Sequence, residues 1–170
     1  MNKPTEKEVA RNILTALYKA WDEDQYCSLE PILEESRYER ADFHNIVERL
    51  DKRHGLIQEY GSSYTYEITP SGVVYAEENG LAPAEIMEKH QKARVQILEY
   101  LCSFFEREGR GSHEYYGKIC AGFGVDAVEM ITDLTFLCDI GHIKAMSASS
   151  FLITDEGYQY HRGEIQDDLI

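Results

Sequence analysis

Arg40, His44, Asn45 and Arg49 stand four, one and four residues apart, with Lys52 and Arg53 following and Arg37 just ahead. Arginine and asparagine pair bidentately with the edges of guanine and adenine, so a helix presenting them on one face has the chemistry of base readout. Tyr64 supplies a hydroxyl suited to a phosphate oxygen. Glu39, Asp42, Glu48 and Asp51 intersperse these bases and nearly cancel them, and the same pattern equally describes a solvated helix face.

Catalytic chemistry finds no comparable set. Gly122-Phe123-Gly124 lacks the lysine and the flanking strand of a phosphate-binding loop. Cys138 with His142, and His113 with Glu114, are two-residue fragments without a third partner nearby in sequence. Cys27, Cys102, Cys120 and Cys138 are widely spaced, which fits neither a zinc cage nor a disulfide frame; four reduced, mostly buried thiols are expected. The expectation is a non-enzymatic protein with no cofactor and no metal.

The elements that would hold these residues can be read in order. Thr5-Glu6-Lys7-Glu8 has the form of a capping box opening a first helix, whose apolar stripe is Val9, Ile13, Leu17 and Ala20, broadened by Ala10, Leu14 and Trp21. Asp22-Glu23-Asp24 suits a helix C-terminus poorly and predicts a stop. A very short strand is expected at Gln25-Tyr26-Cys27, then a second helix over Leu29–Ser36 capped by Ser28. A third helix, Glu39 to His54, buries Phe43, Ile46, Val47 and Leu50 and closes on Gly55. Leu56–Tyr60 pairs with Tyr64–Ile68 across Gly61-Ser62-Ser63, and Thr69 caps a last helix that begins at Pro70.

The same grammar returns after Gly80-Leu81-Ala82-Pro83. Ile13-Leu14, Leu17 and Trp21 correspond to Ile97-Leu98, Leu101 and Phe105 at an offset of 84, and Ser28, Asp42, Val47 and Leu50 fall on Ser112, Asp126, Ile131 and Leu134 at the same offset. Gly55 falls on Gly141 at 86, and Ile68-Thr69 with Gly72 on Ile153-Thr154 with Gly157 at 85. A nearly constant offset that also aligns cap residues is a duplication signal. The second copy opens with a longer helix, Ala84 to about Glu108, and its third helix, residues 125–139, carries four acids and no lysine or arginine. Val128, Ile131, Leu134 and Leu137 are expected on its core face. That leaves Met130 and Phe136 outside as candidate protein contacts or ordinary exposed apolars. Ile86 and Met87, in the extra turns Ala84 to His90, are candidates for packing against a second chain, or those turns serve only as a spacer between the units.

Helix, short strand, helix, helix, hairpin, capped helical turn is an order that resembles the winged helix-turn-helix superfamily, and Gly55-Leu56-Ile57 with Ile68-Thr69-Pro70-Ser71-Gly72 resembles its wing and the step after it. The resemblance implies a mostly helical α+β chain of two tandem winged-helix domains, residues 1–82 and 83–170, each with three helices and a small antiparallel wing. It also implies two kinds of partner. In one, the first domain binds double-stranded DNA through helix 3 and the wing, and the second dimerises or docks a protein. That DNA-binding transcriptional-regulator reading is the leading expectation; the alternative is an acidic protein–protein interaction adaptor that uses the fold without binding DNA.

Charge bears on that choice. The chain carries −14, with 9 Lys/Arg against 16 Asp/Glu in residues 1–80 and 8 against 15 in residues 81–170. Neither half is basic, so a phosphate backbone would be met by a repulsive overall field. No run of 18 apolar residues is present and the start lacks an apolar leader, so no membrane association is expected and the cytoplasm is the expected location. The terminal stretch Glu164–Ile170, acidic and apolar by turns, is expected to fray or to serve as a docking peptide.

Overall fold

The computed structural model describes residues 3–61, 64–124 and 127–163. Ser62 and Ser63 of the expected hairpin turn, Val125 and Asp126, the side chain of Val128 and the stretch Glu164–Ile170 lie outside the described residues. The fold is α+β, and the chain divides into two compact units, one running to Met87 and the other starting at Glu88.

The first unit opens with α1, Glu6–Asp22. Its capping box forms as expected: the Glu8 N–H donates to Thr5 Oγ1 at 3.3 Å, and the Thr5 N–H donates to the Glu8 carboxylate at 2.7 Å. The second of these, with the Thr5 hydroxyl, holds the Glu8 carboxyl below its ordinary range. Val9, Ile13, Leu14 and Leu17 are buried, joined by Tyr18, whose hydroxyl donates to Glu77 at 2.7 Å.

Strand β1, Cys27–Ser28, is followed by α2, Glu30–Ser36, and α3, Arg40–Glu48. Ser28 does not serve as the N-cap of α2. It is held in β1 opposite Thr65, so the cap position passes to Leu29, although Ser28 Oγ still accepts the Glu30 N–H at 3.4 Å. The expected face of α3 is buried at Phe43, Ile46, Val47 and Leu50. The helix ends in a π turn, Arg49–Arg53, before Gly55 takes φ +63°. Strands β2, Ile57–Glu59, and β3, Thr65–Ile68, pair antiparallel, and β1 adds to the other edge of β3, so the sheet has the order β1-β3-β2. Helix α4, Pro70–Glu78, closes the unit. The Thr69 hydroxyl accepts from the Gly72 N–H and donates to the Gly55 carbonyl at 2.6 Å.

The second unit repeats this order. Helix α5, Ala84–Glu108, leads to β4, Glu114–Tyr115, α6, Tyr116–Phe123, and α7, Ala127–Asp139. Strands β5, Ile143–Ser147, and β6, Ser150–Ile153, form with β4 a sheet of order β4-β6-β5, and α8, Asp155–His161, follows. Thr154 repeats the role of Thr69, accepting from the Gly157 N–H and donating to the Gly141 carbonyl at 2.7 Å. Gly122-Phe123-Gly124 is the C-terminal step of α6, with Gly124 in the left-handed region at φ +66°.

The repeat register differs from the sequence-based one in its middle. Sheet pairing sets Ser28 beside Thr65 and Tyr115 beside Ser150, and the left-handed residues after α2 and α6 are Arg37 and Gly124. Both matches correspond to an offset of 87, as do the starts of α3 and α7, whereas Ile13 and Ile97, at 84, are both fully buried. Three extra residues therefore enter between α5 and β4. The π turn of the first unit supplies the extra residue that brings the offset to 86 at Gly55 and Gly141.

This shift corrects the expected faces of α7. Met130 and Phe136 are buried, at 0% and 4% exposure, and Ile131 is 49% exposed. At an offset of 87 the buried set of α3 maps onto Met130, Asp133, Leu134 and Leu137, all buried. A three-residue slip rotates a helix by only about 60°, so apolar residues still fell on apolar residues in the sequence-based alignment. Met130 and Phe136 are core, not protein contacts.

Candidate functional site

The eight residues expected to contact DNA all belong to the first unit, and the structure separates them. Arg40 and Arg49 are nine residues apart, about two and a half turns, and project to opposite sides of their helix.

On one side lie Arg40, His44 and Tyr64. The guanidinium of Arg40 donates to both carboxylate oxygens of Glu30, each at 2.8 Å, and stands 5.5 Å from the centre of the Tyr64 ring. These hydrogen bonds, with the charge attraction behind them, raise the Arg40 pKa and lower that of Glu30. The Tyr64 hydroxyl is 3.4 Å from His44 Nδ1, and Tyr64 adopts φ +60°. Loss of hydration pushes its phenol upward.

On the other side, Arg49 is paired with Glu6 at 2.7 Å. Lys52 meets Asp51 at 2.9 Å, chiefly a hydrogen bond, which raises the lysine pKa. Asn45 faces outward between the flanks, and Arg37 and Arg53 are exposed. Ala41, Asn45 and Glu48 form the centre of the outward face, so its middle carries an acid and an amide rather than an arginine. The β2–β3 hairpin carries Glu59 and Glu67, and its Tyr60 stacks on Tyr26 in an exposed pair with ring centres 3.7 Å apart.

Ile86 and Met87 are half-buried in the first turns of α5. Burial pushes the Cys138 thiol upward, away from thiolate chemistry, and the His142 ring packs 4.3 Å from that of Tyr160. Glu114 is buried and accepts the Tyr115 N–H at 2.9 Å. Among the described residues no group of three or more His, Cys, Asp or Glu is arranged to hold a metal ion, and no helix is long and apolar enough to cross a membrane.

Two sets of residues were not anticipated. The first is a buried cluster in the second unit: Asp133 meets His90 Nδ1 at 2.9 Å and Arg94 Nε at 3.0 Å, and the Arg94 guanidinium lies 4.0 Å from the centre of the Phe136 ring. The second is Lys7 and Arg11, which join Arg49 and Arg53 around one groove of the first unit. A signal for the latter was present: small Ala10, at the edge of the apolar stripe of α1, lies between two cations one turn apart.

Compared with protein-family models, curated proteins and solved structures, the chain finds no match.

Proposed function

We propose that each compact unit is a winged helix and that the pair acts as a non-enzymatic, cytoplasmic protein-interaction adaptor rather than a DNA reader. The repeated order of helix, strand, helix, helix, hairpin and helix supports the fold, as do the matching sheet orders β1-β3-β2 and β4-β6-β5.

The observation that carries the function is the acidic setting of the two arginines: Glu30 meets Arg40 and Glu6 meets Arg49, in solvent-exposed pairs. A base contact by either arginine would first separate it from a carboxylate, which would then face the phosphates. The overall charge of −14 adds to that repulsion. The DNA-reading alternative draws support from exposed Asn45, Arg37 and Arg53 around α3.

Fluorescence anisotropy of the full chain against duplex fragments from the source genome, at two salt concentrations, separates the two. The adaptor reading expects no binding even at low salt. Selective binding that weakens with salt and is lost in Arg40→Ala with Arg49→Ala would overturn it.

A further inference from the structure

A groove of about 660 Å³ opens in the first unit between α1, the end of α3 and α4. Half-buried Ala10, Leu56 and Tyr75 give it accessible apolar surface, above the buried Leu14, Ile46 and Leu50. Lys7 and Arg11 stand one turn apart on α1, and Arg49 and Arg53 one turn apart on the facing helix. Its described lining thus holds four lysines and arginines against one acid, Glu6, which engages Arg49, so Lys7, Arg11 and Arg53 carry its excess positive charge in a chain whose net charge is −14. Two rows of cations over an apolar floor make an elongated feature, longer than one small carboxylate requires.

The second unit provides an internal comparison. At the repeat offsets established above, Glu6, Ala10, Ile46 and Arg49 correspond to His90, Arg94, Asp133 and Phe136. There the corresponding place is occupied by the chain's own side chains, with Arg94 laid over Phe136 and held by Asp133. In the first unit Ala10 has no such side chain, and Arg49 turns instead to Glu6.

We infer that this groove docks an acidic peptide segment, its aliphatic side chains on the apolar surface of Ala10, Leu56 and Tyr75 and its carboxylates against Lys7, Arg11 and Arg53. The inference rests on the protein-interaction reading and gives that partner its chemistry. The acidic remainder of the molecule disfavours the same peptide elsewhere, which confines it to this groove.

The test is anisotropy of a fluorescein-labelled helical peptide built from a leucine–glutamate–glutamate–leucine repeat, titrated with the full chain. Saturable binding that weakens with salt is expected. Arg11→Glu and Arg53→Glu should each lower affinity at least tenfold. Ala10→Arg, which puts into the first unit the side chain that fills the second, should abolish binding while leaving circular dichroism and the melting temperature unchanged. Undiminished binding in these variants, or equal binding of a glutamate–glycine peptide without leucines, would overturn the groove assignment. Octanoate binding in the groove without peptide binding would also overturn it, in favour of a small amphipathic acid. A duplex DNA arm separates the two levels. Failure of the peptide with no DNA binding removes the groove assignment and leaves the adaptor reading standing, whereas DNA binding lost in Arg53→Glu removes the adaptor reading itself.

Discussion

Asp133 takes the Nε–H of Arg94 on one carboxylate oxygen at 3.0 Å, in a position with no solvent exposure. Its other oxygen lies 2.9 Å from His90 Nδ1. A carboxylate so placed is tolerable only while those partners remain, because charge transferred from water into an apolar interior carries a large desolvation penalty.

Removing the acid alone is therefore expected to be severe. Asp133→Ala should destabilise the second unit by about 3–5 kcal/mol, since it removes the buried carboxylate that Arg94 and His90 share. Replacing the three together by apolar residues (Asp133→Leu, Arg94→Met, His90→Leu) should recover most of that loss. Urea unfolding monitored by circular dichroism reads both effects, and a triple variant no more stable than Asp133→Ala would refute the account.

The two post-hairpin glycines should tolerate nothing larger. A Cβ at Gly72 would meet the Leu56 carbonyl oxygen at 2.0 Å, and one at Gly157 the His142 carbonyl oxygen at 2.0 Å. Both neighbours are backbone and cannot swing aside. Gly72→Ala and Gly157→Ala should each cost about 3 kcal/mol or more, the upper end of overpacking. Gly117, within α6 and with open space at its Cβ position, is the control: Gly117→Ala should be neutral or stabilising by up to ~1 kcal/mol. Melting temperatures of the three variants test the contrast.

Tyr66 links stability to alkaline pH. Burial pushes its phenol up to about 12, from an ordinary value of 10.0. The folded state thus favours the neutral phenol. Its contribution is fully present below pH 10 and is lost as pH rises from there toward 12. The wild-type protein should lose stability across that window more steeply than Tyr66→Phe, in denaturant melts taken at several pH values. Parallel curves for the two proteins would contradict the assignment.

Releasing the closed arginines should change behaviour toward DNA. Glu30→Gln with Glu6→Gln removes both carboxylates that hold Arg40 and Arg49. Non-specific duplex binding at low salt is expected to rise several-fold over wild type, in anisotropy titrations, with a steeper salt dependence. No change would show that these two ion pairs are not what keeps phosphate away.

Local features were legible in the sequence and distant pairings were not. The Thr5–Glu8 box, the buried face of α3, Gly55 and the Thr69 and Thr154 caps each depend on residues a few positions apart, so their chemistry is visible in order along the chain. The face of α7 was misread because a buried Asp133 makes sense only beside His90 and Arg94, 43 and 39 residues away. Of the candidate DNA contacts, the residue types were readable but their engagement was not: Glu30 closes Arg40 from ten residues away and Glu6 closes Arg49 from 43. The groove over α1 escaped notice for the same reason, since its two cation rows come from different helices.

Tandem copies of one fold carry a hazard during folding, because an element of one copy can dock into the vacancy meant for its twin. The buried cluster of the second unit discriminates against that exchange. Were α7 to pack on α1, Asp133 would meet Ala10 and Glu6 where the second unit places Arg94 and His90. Were α3 to pack on α5, Ile46 would leave Arg94 and His90 without their acid. Each half is thus matched to itself, and the mismatched pairings carry an electrostatic penalty that the correct ones avoid.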